Sequence, residues 1–293
     1  MKNNVFIRLA RLLPDQAYLS LKYLKEFGRF PNWKNPQTFT EKLQWLKLHD
    51  RNPEYTRLVD KYAVKEYVER IIGKDYIIPT YAVWNRPEEI EWDSLPEQFV
   101  LKTTHGGGGD GVVICKDKST FDREEAIRLL NENLKTDLYV VWREWPYKNV
   151  PKRIIAEKFI APDKNASAAS LMDYKFFCFK GKVRFFKVDF GRFVEHHANY
   201  YDINGKLLPF GEKMCQPDPD YPIELPRNLN EMIYLAERLA GNLPFLRVDF
   251  YNIEGRIFFG ELTFYPASGM DRFVPDGYDM EIGTYLEIPK GGS

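Results

Sequence analysis

The stretch Arg247-Val-Asp-Phe-Tyr-Asn-Ile-Glu-Gly-Arg-Ile-Phe-Phe-Gly-Glu-Leu-Thr263 decides how this chain is read. Apolar residues flank a turn at Asn252 to Gly255, the pattern of two short strands pairing antiparallel. Such a hairpin brings Asp249 and Glu261 to one end of the ladder, both carboxylates able to point the same way. Two carboxylates fixed that close repel each other unless a cation lies between them. Mg²⁺ meets the need, because it is hard, prefers oxygen, and takes one or two carboxylates together with phosphate oxygens. A surface hairpin with solvated acids would carry the same letters, so the rest of the chain has to decide.

A second signal lies upstream. His105-Gly-Gly-Gly-Gly-Asp-Gly111 joins two strand-like runs, Gln98-Phe-Val-Leu-Lys-Thr103 and Gly111-Val-Val-Ile-Cys-Lys116. Consecutive glycines expose backbone N–H groups, which is what phosphate oxygens require. No Gly-Lys-Ser/Thr follows, so this is not a P-loop, and a loop between two strands is not a dinucleotide fingerprint. A bare hairpin tip would look similar, but Lys102 stands three residues before His105 on the strand feeding the loop. A cation on rigid structure beside exposed amides is placed to meet phosphate charge. Asp60-Lys61 opens a helical stretch ending at Gly73; taken alone, Lys61 reads as a surface lysine.

Around these signals the order of elements is irregular. Thr38 and Glu41 make a capping-box pattern for a helix over 38–50, and a second helix is predicted over 60–72. Strands are predicted at 77–84, 98–103, 111–116, 153–160, 174–179 and 182–190, with helices at 121–134 and 229–240 and a loop at 163–170. Hairpins and helices interleave without a regular β-α repeat, so the expected fold class is α+β.

The bulk numbers exclude several classes. A 293-residue chain with 44% hydrophobic and 15% aromatic residues is a folded globular protein with room for two or three lobes. Lys plus Arg and Asp plus Glu are 42 each, so no net field draws nucleic acid. Cys115, Cys178 and Cys215 are widely spaced, with no Cys-x-x-Cys pair and no histidine cluster. That argues against zinc and for a reducing, cytoplasmic compartment. No stretch approaches the ~20 apolar residues of a membrane span. Residues 1–30 mix leucines with Arg8, Arg11, Lys22, Lys25 and Arg29. An amphipathic basic helix of this kind packs on its own domain or rests on the inner, anionic face of a membrane.

The ordered set is then Asp60-Lys61, Lys102 before a glycine loop, Glu157-Lys-Phe-Ile160, Asp173-Tyr-Lys175, and Arg247-x-Asp249…Glu261-x-Thr263. In this order and at these separations it resembles the ATP-grasp superfamily. More narrowly it is similar to the teichuronopeptide-biosynthesis (TupA-like) branch found in bacterial polysaccharide loci, including Phe39-Thr-Glu-Lys-Leu-Gln-Trp-Leu-Lys-Leu48. The resemblance implies an ATP cleft between two α+β lobes: a helical region 1–78, a lid subdomain 79–158 and a C-terminal subdomain 159–293. It implies that Lys61, Lys102 and Lys175 contact phosphates, and that Gly106, Gly107, Gly108 and Gly109 close over them. Glu157, with the backbone of Lys158 to Ile160, would read the adenine edge. Asp249 and Glu261 would hold Mg²⁺, and Arg247 would meet the transferring phosphoryl group. The superfamily usually has Asn two residues after the bridging glutamate; this chain has Thr263, a weaker oxygen ligand.

The implied chemistry is carboxylate activation by ATP followed by attack of an amine on the acyl phosphate. The expected partners are an amine or amino acid and a sugar or peptidyl carboxylate of a surface polysaccharide. Arg192 would hold a substrate carboxylate, and His196 or His197 would accept the amine's proton. Tyr200, Tyr201, Phe264 and Tyr265 would stack on a sugar face or belong to the core. Three other readings stand beside this one. A glycosyltransferase would use an Asp-x-Asp motif, matched in letters by Asp218-Pro-Asp220. The others are a small-molecule kinase and a nucleotide- or sugar-binding module.

Overall fold

Thr38 starts the helix Phe39–His49 as the pattern predicts. Its hydroxyl accepts from the Glu41 amide, and the Glu41 carboxylate accepts from the Thr38 amide. A cap of this kind contributes about 1 kcal/mol. Phe39, Leu43 and Leu46 on this helix enter the largest core, where Phe39 meets Phe245 edge-on at 5.0 Å. The computed structural model describes residues 12–107, 111–161, 171–191 and 195–289. The predicted loop at 163–170 lies outside these residues.

Four strands, Thr80–Trp84 (β1), Phe99–Thr103 (β2), Val112–Cys115 (β3) and Ile154–Lys158 (β4), form an antiparallel sheet in the order β1-β4-β2-β3. One face, with Phe99, Leu101, Cys115, Ile154 and Ala156, packs against Leu130 of the helix Arg123–Leu134. The other face carries Val100, Lys102, Ile155 and Glu157, beside Val112 and Ile114, which stay more than a third exposed. Exposed aliphatic side chains flanking a lysine and a buried glutamate make this face fit for something apolar with a charged end.

The larger sheet has the order β10-β9-β5-β6-β7, from Asp173–Phe179 (β5), Lys182–Phe190 (β6), His197–Asp202 (β7), Phe245–Ile253 (β9) and Arg256–Thr263 (β10). Gly211–Glu212 (β8) pairs separately with Phe273–Val274 (β11). The helix Leu229–Ala240 packs across β5, β6 and β9, burying Met232, Leu235, Ala236 and Leu239.

Three details differ from the sequence pattern. The second helix begins at Val64, because the Asp60 carboxylate accepts from the amides of Tyr62 and Ala63 and holds a turn first. β1 begins at Thr80, after a 3₁₀ turn at Lys74–Tyr76. The polar-looking segment His197–Asp202 is an edge strand, and Tyr200, Tyr201, Phe264 and Tyr265 all lie in the core. Near the amino end the helix Asp15–Phe27 buries Tyr18, Leu19 and Tyr23 against the protein, while residues 1–11 lie outside the described residues. Among the described residues no helix is long and apolar enough to cross a membrane.

Candidate active site

A hairpin with a two-residue turn at Glu254-Gly255 pairs residues whose numbers differ by an odd amount, as Phe259 with Phe250. Asp249 and Glu261 differ by an even amount and still stand opposite each other, because the register slips by one residue at Gly260. The extra residue of such a bulge lets Glu261 share the face of Asp249; an unbroken ladder would set it opposite Val248. A Cβ at Gly260 would lie 3.1 Å from the Asp249 carbonyl oxygen, so the close approach favours glycine there.

From this pair one rung crosses the whole sheet: Glu261, Asp249, Lys175, Lys187 and Tyr200, one residue per strand. Two acids are followed by two lysines. Lysines directly opposite each other destabilise a sheet unless carboxylates intervene, and here they do. Lys175 Nζ lies 2.9 Å from Asp249, 3.2 Å from Asp173 and 3.9 Å from Asp189; Lys187 Nζ lies 2.6 Å from Glu212 and 3.5 Å from Asp189. Burial lowers the Lys175 pKa, but the three aspartates outweigh it and keep the ammonium charged. Burial raises the Asp189 carboxyl, and Lys187 and Lys175 more than reverse that.

Arg247 ties the acids together. Its Nε and Nη2 donate to the two Asp249 oxygens at 2.7 Å each, and Nη2 also reaches Glu261 at 3.1 Å and the Thr263 hydroxyl at 3.0 Å. A guanidinium thus occupies the gap between the two carboxylates. Glu261 is pushed up by burial, but Lys61, Arg247 and Lys175 hold its pKa at about 2. Both acids offer hard oxygen donors, and the Glu261 side chain is still 33% exposed. Among the described residues no group of three or more Asp, Glu, His or Cys is arranged for a metal ion. Mg²⁺ needs only one or two carboxylates when a phosphate supplies further oxygens, so the donor set fits that ion.

Lys61 connects the two sheets. Its amide donates to the Thr104 carbonyl at 3.0 Å, and its Nζ donates to the Gly106 carbonyl at 2.5 Å and lies 3.7 Å from Glu261 Oε2. Gly107 follows Gly106 at the near end of the loop, whereas Gly108 and Gly109 lie outside the described residues. His105 at the loop's root is buried, its Nε2 3.2 Å from the Asn133 carbonyl oxygen. Across the small sheet, Lys102 Nζ lies 2.6 Å from Glu157 Oε2, and Lys65, which the sequence patterns did not single out, lies 2.5 Å from Oε1. Burial raises the Glu157 carboxyl, and the two ammonium groups outweigh it. The Lys158 amide donates to the Pro79 carbonyl at 2.9 Å, and Ile160 follows β4 half-buried.

The two histidines part company. His197 is half-buried, with Nδ1 3.0 Å from the Gln216 carbonyl oxygen and its ring stacked on Phe190. His196 is more exposed, and its Nε2 lies 3.4 Å from Asp189, which reaches toward Lys175 and so toward Asp249. Arg192 lies outside the described residues. Asp218 is tied at its backbone to the Asn199 amide side chain, in a turn closed by the Tyr221 amide. Lys65, Lys187 and the Val112/Ile114 lane went unread in the sequence. Strand alternation was their only trace.

No curated protein sequence matches the chain. Among solved structures it is similar to D-alanine–D-alanine ligase from Helicobacter pylori, with 16% identity, a TM-score of 0.44, and coverage of 78% of this chain and 61% of that one. It is also similar to the ATP complex of D-alanine–D-alanine ligase from Bacillus anthracis (17%, 0.40, 70% and 53%). A third likeness is biotin carboxylase from Campylobacter jejuni, bound to β,γ-ATP (12%, 0.42, 86% and 49%). In each case the chain spans less than two thirds of the other protein's length. The TupA-like ATPgrasp family model matches residues 41–287, nearly the whole chain, and the protein belongs to that family.

Proposed function

We propose that this protein is an ATP-dependent carboxylate–amine ligase that forms an amide through an acyl phosphate, releasing ADP and phosphate. The observation that carries the reading is Lys61, whose ammonium stands between the Gly106 carbonyl and the Glu261 carboxylate. One cation therefore faces both the glycine loop and the acid pair, where a triphosphate would lie. Phosphoryl transfer needs alignment and charge neutralisation more than covalent help, and this cleft is rich in fixed charge.

In this reading Lys61 and Lys102 take the phosphates, and the amides from Gly106 to Gly109 cover them. The lane of Val100, Val112 and Ile114 receives the base, with Glu157 and the backbone of Lys158 to Ile160 at its edge. Asp249 and Glu261, with Thr263 beside them, would hold Mg²⁺, which when bound neutralises phosphate charge. Lys175 keeps Asp249 oriented. Arg247 turns from the acid pair toward the transferring phosphoryl group. The substrate carboxylate oxygen attacks the terminal phosphorus, and ADP leaves. The amine nitrogen then attacks the acyl carbon, the carbon–oxygen bond to phosphate breaks, and the amine's proton passes to a histidine, His196 or His197. Arg192 orients the substrate carboxylate.

The family resemblance favours an amino acid or amine joined to a uronic acid or peptide of a bacterial surface polysaccharide. Three unpaired, buried cysteines suit a cytoplasmic setting, and the basic segment 1–30 is where contact with the inner membrane face would be made. A screen of amino acids against uronic acids and short uronate glycans, read as ADP release, would find the pair. With ¹⁸O in the carboxylate, label should appear in the released phosphate; unlabelled phosphate rejects the acyl-phosphate route. A stable phosphorylated product formed without amine would indicate a kinase instead.

A further inference from the structure

Lys65 has no part in the chemistry above, yet it is one of the most constrained lysines in the protein. It lies on the helix Val64–Ile72, and its Nζ donates to the Ile78 carbonyl at 2.8 Å and the Thr80 hydroxyl at 2.5 Å. The same ammonium lies 2.5 Å from Glu157 Oε1. Lys102 approaches the other carboxylate oxygen at 2.6 Å, but no hydrogen bond of good geometry reaches that buried Oε2. Two cations thus share one acid that is 4% exposed. One is anchored by two further acceptors. The other meets only Glu157 among the described residues.

That asymmetry has a consequence for nucleotide binding. A buried carboxylate stripped of its partner is strongly destabilising. If Lys102 were the sole counter-ion of Glu157, it could not turn to a phosphate without leaving the acid uncompensated. We propose that Lys65 is the standing counter-ion of Glu157, and that by holding this acid it releases Lys102 to bind nucleotide phosphate. Lys65 is then a positioning residue acting through Lys102, and it touches no substrate. Its anchors at Ile78 and Thr80 keep it from following Lys102 into the cleft. The inference rests on the nucleotide lying in this cleft, as in the proposed function.

Calorimetric titration of ATP and of adenosine into the full-length protein tests it, using wild type, Lys65→Gln, Lys65→Arg, Lys102→Met and the Gln/Met double variant. Lys65→Gln keeps a donor for Ile78 and Thr80 but removes the charge, and its melting curve verifies folding. The expected result is an ATP affinity lower by about tenfold or more with adenosine affinity changed less than about twofold, since only the phosphate contact is lost. Lys65→Arg should recover most of the ATP affinity. The double variant should bind ATP no worse than Lys102→Met, because the two lysines act in series. Equal losses for ATP and adenosine, an unchanged ATP affinity, or additive losses in the double variant would each overturn the proposal. Absence of ATP binding by the wild type would instead defeat the nucleotide reading itself.

Discussion

Glu261 stands opposite Asp249 because the β9–β10 ladder takes in one extra residue, Gly260. The consequence is counterintuitive. Deleting Gly260 leaves Phe259 opposite Phe250 and sets Glu261 against Asp249 with no bulge at all. Gly260→Val keeps the bulge but pushes side-chain atoms toward the Asp249 carbonyl, 3.1 Å from where its Cβ would lie. The valine variant should lose about 1–3 kcal/mol of stability from overpacking and most of its ATP turnover. The deletion should keep more of both. Melting curves and ADP release on the two proteins decide, and a deletion worse than the valine on both measures contradicts this account of the register.

Arg247 bridges Asp249, Glu261 and Thr263 from within the sheet. Arg247→Met leaves the two acids facing each other, and removing one partner of a buried ion pair costs about 3–5 kcal/mol. A divalent ion would occupy the same gap and stabilise the folded state by mass action, about 2.7 kcal/mol at a hundred times its Kd. Mg²⁺ should therefore raise the melting temperature of Arg247→Met by more than it raises that of the wild type. Equal shifts in the two proteins would mean that the acid pair is not where Mg²⁺ binds.

What the sequence revealed of this site depended on how local the signal was. The Thr38–Glu41 cap, the break between the strands at 174–179 and 182–190, and the Leu229–Ala240 helix are written in adjacent residues and are found as expected. The Asp249–Glu261 hairpin was legible too, but its bulge was not, since a glycine in a strand does not say how the register will shift. Lys65 and Glu157 are far apart in sequence, and only the packing of a helix on β1 and β4 makes them neighbours. The resemblance assigns Lys175 to a phosphate, and Lys187 sits in an aromatic-rich run where a lysine reads as one solvated position. The structure buries both, 5% and 6% exposed, against carboxylates from other strands. The edge strand His197–Asp202 was hidden because its letters are polar, although Ala198 and Tyr200 are fully buried.

His105 gives the root of the glycine loop a pH dependence. Burial and the nearby Lys152 push its pKa down to about 4. Between pH 6.5 and 4 the unfolded chain takes up a proton at this histidine that the folded protein refuses. Stability from this group is thus full above the unfolded value and declines as pH falls toward 4. His105→Gln should flatten the slope of melting temperature against pH over that window. An unchanged slope would mean that His105 titrates alike in both states.

The two histidines differ in how far each ring is committed to the fold. His197 is held by the Gln216 carbonyl and stacked on Phe190, so its ring is committed to the edge strand. His196 is the more exposed and rests on Asp189, an acid that shares Lys175 with Asp249. If His196 takes the amine's proton, His196→Asn should lower amide formation by about 10²- to 10⁴-fold, the usual contribution of a general base. In the proposed route acyl phosphate formation precedes that step. Positional isotope exchange in ATP, measured with the carboxylate present and the amine absent, should therefore persist in His196→Asn. His197→Asn should affect stability more than turnover. Loss of isotope exchange in His196→Asn would place the residue at the first chemical step, and a slow His197→Asn beside a normal His196→Asn would give the proton to the other ring.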